Sequence, residues 1–223
     1  MKSILSTITS FRKFGDLQLV LFDNPFMDIK PGQFLLVYQP EKDDHLVPVY
    51  FTLELDGAYF SIFQHTSWEI GDQVYIRGPV GTGFKIPEYF SNLFCITLGQ
   101  KYGSLYQIMD HATKKRKNVA YMCNSGNLLI PESVEVVFTD TINENLAWAD
   151  MILIEMDNNE FRNNSKLLEK ILNSGKPSEV LLYRPILCAG ESECLICSVK
   201  TKTSYRKTCQ NGSVYQLNEL EFL

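Results

Sequence analysis

Four of the six cysteines fall close together near the end of the chain. Cys188, Cys194, Cys197 and Cys209 form a C-x5-C-x2-C-x11-C pattern. A [2Fe–2S] cluster takes four thiolates, two per iron, and serves as a one-electron relay. The C-x2-C pair brings two sulfurs together from one tight turn. The x5 loop, Ala189-Gly190-Glu191-Ser192-Glu193, is small and polar. It contains a glycine free to take positive φ, and its backbone N–H groups are available to the cluster's sulfurs. The x11 segment SVKTKTSYRKT alternates in character and predicts a hairpin that returns Cys209 to the others. A structural zinc on the same thiols is chemically sensible, although zinc sites more often pair two C-x2-C knuckles. Disulfides are the third reading. Lys200, Lys202, Arg206 and Lys207 lie between the third and fourth cysteines. They read either as a docking patch for an acidic partner or as a solvated hairpin face. Cys95 and Cys123 sit in apolar runs and read as core thiols.

The rest of the composition narrows the field. The chain has 223 residues, 45% of them hydrophobic, which is enough for one or two cores. A formal net charge of −5 argues against nucleic acid as a partner. The three histidines, His45, His65 and His111, are scattered, which argues against a histidine metal site. The opening segment MKSILSTITSFRKFGD has no apolar stretch of signal-peptide length. No window approaches the roughly 18 apolar residues that span a bilayer. The expected location is the cytoplasm, where thiols stay reduced and metal binding is the better prior for cysteines.

The elements that must position the cysteines fall into two kinds. Up to about residue 90, short apolar and β-branched runs alternate with turn signals: LQLVLF (17–22), QFLLVYQ (33–39), VYFTLEL (49–55), YFSIF (59–63) and QVYIRG (73–78). Asp56-Gly57 between two of them is a hairpin signal. This spacing predicts a small barrel or sandwich. After Pro87 the pattern changes. LFCITLG (93–99), VAYMCN (119–124), VEVVFTD (134–140), MILIEM (151–156) and EVLLY (179–183) read as strands. Tyr102, Leu105, Ile108, Met109 and Ala112 mark one helix; Phe161, Leu167, Leu168, Ile171 and Leu172 mark a second that Gly175 ends. Strands alternating with helices predict a parallel-sheet α/β unit. The expected division is a barrel at 1–88, an α/β unit at 89–186 and a cysteine tail at 187–223.

Three segments carry a family resemblance: KPGQFLLV (30–37), RGPVGTGF (77–84) and the tail CAGESECLICSVKTKTSYRKTCQNGSVY. Together they resemble the electron-transfer subunits of dihydroorotate dehydrogenase, which belong to the ferredoxin–NADP reductase superfamily. The resemblance implies a six-stranded antiparallel Greek-key flavin barrel, a parallel-sheet α/β nucleotide-binding-like domain and a C-terminal [2Fe–2S] tail. It also implies FAD, a flavin-bearing catalytic-subunit-like partner, no membrane and a place in pyrimidine synthesis. The family's Arg-Pro-x-Ser flavin segment corresponds to Val47-Pro48-Val49-Tyr50, which lacks the arginine that would hold a diphosphate. Pro48, Tyr50, Thr52, His65 and Thr66 are the residues left to contact FAD. The glycine-rich nicotinamide turn corresponds to LGQKYGSLYQI (98–108), where Gln100, Lys101 and Tyr102 fill the bend. The later nicotinamide segment corresponds to Ile154-Glu155-Met156-Asp157, which puts two acids where phosphates are expected. NAD(P) is therefore not expected to bind, and no catalytic residue stands out. The leading expectation is an electron-transfer subunit carrying a [2Fe–2S] cluster. The alternatives are a complete FAD-dependent NAD(P)H oxidoreductase and a non-catalytic zinc- or cluster-binding regulatory module.

Overall fold

The structure, a computed structural model, describes residues 3–15, 17–23, 28–100, 102–123, 129–188 and 194–221. Its first six strands are β1 (Ser3–Phe14), β2 (Leu17–Phe22), β3 (Phe34–Tyr38), β4 (Val47–Glu54), β5 (Ala58–Ile62) and β6 (Gln73–Val80). They pair antiparallel throughout and close a barrel in the order β1-β2-β5-β4-β3-β6. Closure leaves no strand edge exposed. Alternate side chains fill the interior, among them Ile8, Val20, Leu35, Val37, Val49, Phe60, Val74 and Ile76. Trp68 packs at this core and donates its indole N–H to the Asp43 carboxylate at 2.9 Å. Strand β1 is absent from the apolar runs of the sequence. Only Ser6 and Ile8 of it are buried, and its register on β2 shifts between Ile8 and Ser10.

The second unit contains β7 (Asn92–Leu98), α1 (Tyr106–Lys114), β8 (Asn118–Cys123), β9 (Glu135–Val137), α2 (Ile142–Trp148), β10 (Met151–Asp157), α3 (Asn158–Asn163), α4 (Ser165–Asn173) and β11 (Ser178–Tyr183). The tail adds β12 (Ser198–Lys200), β13 (Tyr205–Lys207), α5 (Thr208–Asn211) and β14 (Val214–Gln216). The sheet order is β14-β11-β10-β7-β8-β9, parallel except for β14, which pairs antiparallel with β11. The order reverses between β7 and β10. Such a reversal leaves a crevice at the carboxyl ends of the two strands.

Two elements differ from expectation for local reasons. The second helix is split into α3 and α4, because Asn164 turns its side-chain amide onto the Glu160 carbonyl and carboxylate at 2.9 and 2.8 Å. The run VEVVFTD yields only the three-residue edge strand β9, with Phe138 exposed beyond it.

The tail is seated on the barrel by backbone contact. Gly81 follows β6 and Gly212 precedes β14, at φ +87° and +90°. A Cβ on Gly81 would lie 2.7 Å from the Gly212 Cα, and one on Gly212 would lie 2.4 Å from the Gly81 Cα. Both the left-handed backbone and the close approach therefore demand glycine. Gly212→Ala is expected to destabilise the protein by about 2–4 kcal/mol, given this combined strain and overlap. A urea or thermal denaturation series reads the loss, and an unchanged midpoint would refute the seat.

Candidate functional site

Each cysteine of the tail is delivered by a different local device. Cys188 follows the end of β11. Cys194 and Cys197 flank a bend in which Leu195 takes φ +56°, and the Ser198 N–H closes the bend on the Leu195 carbonyl at 2.9 Å. The hairpin expected between the third and fourth cysteines is present as β12 and β13, paired from Ser198↔Lys207 to Lys200↔Tyr205. Its return places the Thr208 N–H on the Cys197 carbonyl at 3.1 Å, and α5 then carries Cys209. Loop residues 189–193 lie outside the described residues.

The four sulfurs gather as two pairs. Cys188 Sγ lies 3.3 Å from Cys194 Sγ, and Cys197 Sγ lies 3.1 Å from Cys209 Sγ. Both separations far exceed the roughly 2.05 Å of a disulfide. The Cys197–Cys209 pair is buried, Cys188 is half-buried and Cys194 is exposed. Burial pushes the Cys209 thiol up to about 12, and the nearby Cys197, Cys188 and Cys194 push in the same direction. All four groups are thus close enough to repel one another as thiolates. A bound cation removes that repulsion and draws off the protons. Among the described residues no three histidine, cysteine or acidic side chains surround a single point. Four thiols in two close pairs are a donor set that a two-iron cluster, or a tetrahedral zinc, can take. Cys95 is fully buried in the sheet and Cys123 ends β8.

Arg184 fixes the cysteine bend from the side. Its Nη2 donates to the Ser198 carbonyl at 2.5 Å and the Ile196 carbonyl at 3.4 Å, on either side of Cys197. Sequence reasoning passed over this residue, and its position just past the strand EVLLY was the available signal. Of the hairpin cations, Lys200 pairs with Glu221 at 2.8 Å and Arg206 with Glu219 at 3.2 Å. Lys202 is exposed.

The residues expected at a flavin fall in β4, for Pro48, Tyr50 and Thr52, and in the loop after β5, for His65 and Thr66. Pro48 lies in β4 opposite Leu36, and Val47 is buried with no cation in its place. The Tyr50 ring packs edge-on to Tyr183 at 4.7 Å and against Phe34 at 5.1 Å. Phe63 joins them, 4.7 Å from Tyr183. The Tyr50 hydroxyl meets Ser213 Oγ at 3.3 Å, and burial holds its pKa well above the ordinary phenol value. Thr52 is fully buried, with its hydroxyl shared between Ser61 Oγ and the Tyr50 carbonyl. Gly103 presses against Thr52 and Ser61, so the lead-in to α1 rests directly on the barrel. His65 is exposed, and Thr66 keeps a buried Oγ1 without a hydrogen-bond partner among the described residues.

The crevice between β7 and β10 is filled from within. Glu155, 1% exposed, accepts the N–H groups of Gly103 at 3.1 Å and Ser104 at 3.0 Å. It also accepts the hydroxyls of Thr97 at 2.7 Å and Tyr183 at 2.8 Å. These N–H groups lead into α1, where a dinucleotide phosphate would bind in a nucleotide-binding domain of this topology. The Glu155 carboxylate takes the phosphate's part. Desolvation raises its pKa above 4.5, and the four donors only partly oppose that shift. The second acid, Asp157, caps α3 by accepting the Asn159 and Glu160 N–H groups.

No family model matches the chain. It is similar to the electron transfer subunit of dihydroorotate dehydrogenase B (NAD(+)) of Clostridium perfringens, 24% identical over 167 residues, or 68% of each chain. The probable subunit of the same name from Thermoplasma volcanium is 25% identical over 90% of this chain and 84% of its own. Among solved structures, the NADH-dependent reduced ferredoxin-NADP oxidoreductase of flavin-based electron bifurcation superposes with a TM-score of 0.73 at 16% identity. That match covers 98% of this chain and 90% of the other. The ferredoxin reductase in carbazole 1,9a-dioxygenase gives 0.60 at 17% identity, over 79% and 64%. The fold is that of the ferredoxin–NADP reductases.

Glu155→Ala is expected to cost about 2–4 kcal/mol near neutral pH, because buried N–H donors lose their acceptor. Between the unfolded pKa and the raised native one, the native state holds a proton that the unfolded chain has lost. The wild-type stability contribution from Glu155 therefore falls as pH rises from 4.5 upward. Urea midpoints measured across pH for the two proteins check both effects: the variant should lack this part of the slope.

Proposed function

We propose that this chain is an electron-transfer protein. It carries a [2Fe–2S] cluster on Cys188, Cys194, Cys197 and Cys209 and serves a flavin-bearing oxidoreductase partner. The pairing of the four sulfurs, two and two, supports the reading most directly. Similarity to subunits named for electron transfer supports the role. The cluster, when bound, supplies a site that gains and loses one electron.

The chain's own residues set the conditions for that site. Cys197 and Cys209, 2% and 3% exposed, close its inner side to water. Arg184 holds the carbonyls flanking Cys197 and places a positive charge beside the thiolates, which favours the more reduced, more negative state. Cys194 opens to the surface among Leu187, Leu195 and Ile196, all exposed. An exposed apolar patch around a redox centre suits docking of the partner, which we place in the class of the dihydroorotate dehydrogenase catalytic subunit. The division into a barrel at 1–88, a sheet unit at 89–186 and a cluster tail at 187–223 belongs to this proposal, as does a reducing cytoplasmic setting. Glu155 speaks against a self-sufficient NAD(P)H reductase, since it holds the N–H groups a pyrophosphate would need. No helix among the described residues is long and apolar enough to cross a membrane.

Anaerobic reconstitution with iron and sulfide tests the proposal. The expected product is brown, with about two irons and two labile sulfides per chain. Cys194→Ser and Cys197→Ser should each lose the visible absorbance, and NADH alone should not bleach the wild type. Zinc in place of iron, or a colourless protein, would overturn the reading.

A further inference from the structure

A cleft of about 410 Å3 lies where the barrel, the linker after β6 and α1 meet. Its floor is apolar and joins two cores. Phe51 belongs to the barrel interior, Ile108 and Ala112 to the core shared by barrel and sheet, and Pro31, Ile86 and Phe90 complete the surface. Neither Glu155 nor any cysteine lines it. One end of the cleft, at Phe90 and Lys117, sits at the amino ends of β7 and β8, whose first residues Asn92 and Asn118 pair. The N–H groups that Glu155 holds follow the carboxyl end of β7. The cleft is therefore distinct from that crevice. Apolar clefts between structural units, with a few polar groups around them, are where ligands most often bind.

The charges along the cleft define its ligand. Gln107, His111 and Lys115 line it at four-residue intervals, so one wall follows α1 for about 12 Å. At the Gln107 end, Gln107 Oε1 accepts the Glu54 N–H at 3.3 Å, which places Glu54 there. At the other end, Lys117 Nζ lies 5.5 Å from the centre of the Phe90 ring, with Lys115 two residues before it. Glu88 stands on the linker wall. None of these two lysines and two acids makes an ion pair among the described residues. The lining thus carries no net charge, which favours neither a simple anion nor a simple cation. An acid at one end and two lysines at the other complement a molecule with an ammonium, an apolar body and a carboxylate in that order. An extended chain advances about 3.3 Å per residue, so about three residues fit this length.

We infer that this cleft binds a short apolar peptide with free ends, its ammonium beside Glu54 and its carboxylate beside Lys115 and Lys117. The site stands on its own residues whether or not the tail takes up iron. The test is calorimetric titration of the full chain with trileucine, with its C-terminal amide and with its N-acetyl form. Wild-type protein should take up one trileucine per chain, and each blocked form should bind about five- to tenfold more weakly. Glu54 and Lys115 are exposed and Lys117 is half-buried, so charge-removing variants there leave the cores intact. Glu54→Gln should weaken trileucine but not the N-acetyl form. The double variant Lys115→Gln, Lys117→Gln should weaken trileucine but not the amide. No trileucine uptake at millimolar concentration, variants that bind it as tightly as the wild type, or blocked forms that bind as tightly as the free peptide would each overturn the inference.

Discussion

Two backbones crossing with no side chain between them hold the molecule's three parts together. At Gly81 and Gly212 the turn that leaves the barrel and the turn that leaves α5 touch through bare Cα atoms. Gly32 repeats the device nearby, where an added Cβ would meet Val214 and Phe84 at 2.7 and 2.9 Å. Because β14 follows Gly212 at once and pairs with β11, the same contact ties the tail to both barrel and sheet. The Cys197–Cys209 pair consequently sits in a core shared with Phe34, Tyr50, Phe84 and Tyr183. Had the tail been tethered only by its chain connection, four thiols from three separate segments would have no fixed meeting point.

The same closeness of barrel and sheet brings side chains of both units into one core. The lead-in to α1 rests on Thr52 and Ser61, and the rings of Tyr50, Phe63 and Tyr183 meet edge-on or tilted. Glu155 then supplies the acceptor oxygens for the N–H groups of Gly103 and Ser104. A buried carboxylate with four donors is stable only where those donors are fixed, and the strand–turn–helix frame fixes them.

Much of this was legible in the sequence where burial and periodicity coincide. The run 17–22 became β2 without adjustment, and 151–156 and 179–183 became central strands because both of their faces are covered. The cysteine hairpin was legible from alternation alone. Strand β1 was not, since it earns its place by closing the barrel on both sides rather than by hydrophobicity. The acid in MILIEM was visible as an anomaly, but its donors come from a turn some fifty residues earlier, which no local pattern connects. Arg184 escaped notice for the same reason: its partners are backbone carbonyls, which carry no sequence signature.

The two-and-two arrangement of the sulfurs makes a claim about electrons as well as about metal content. Antiferromagnetic coupling of two bridged ferric ions would leave no net spin, and one-electron reduction to a ferric–ferrous pair would leave a net spin of one half. Low-temperature electron paramagnetic resonance of the dithionite-reduced, reconstituted chain tests this directly. The account predicts a spectrum silent when oxidised, with close to one low-spin-total signal per chain on reduction. A high-spin signal from an isolated iron in the oxidised protein, or silence in both states, would contradict it.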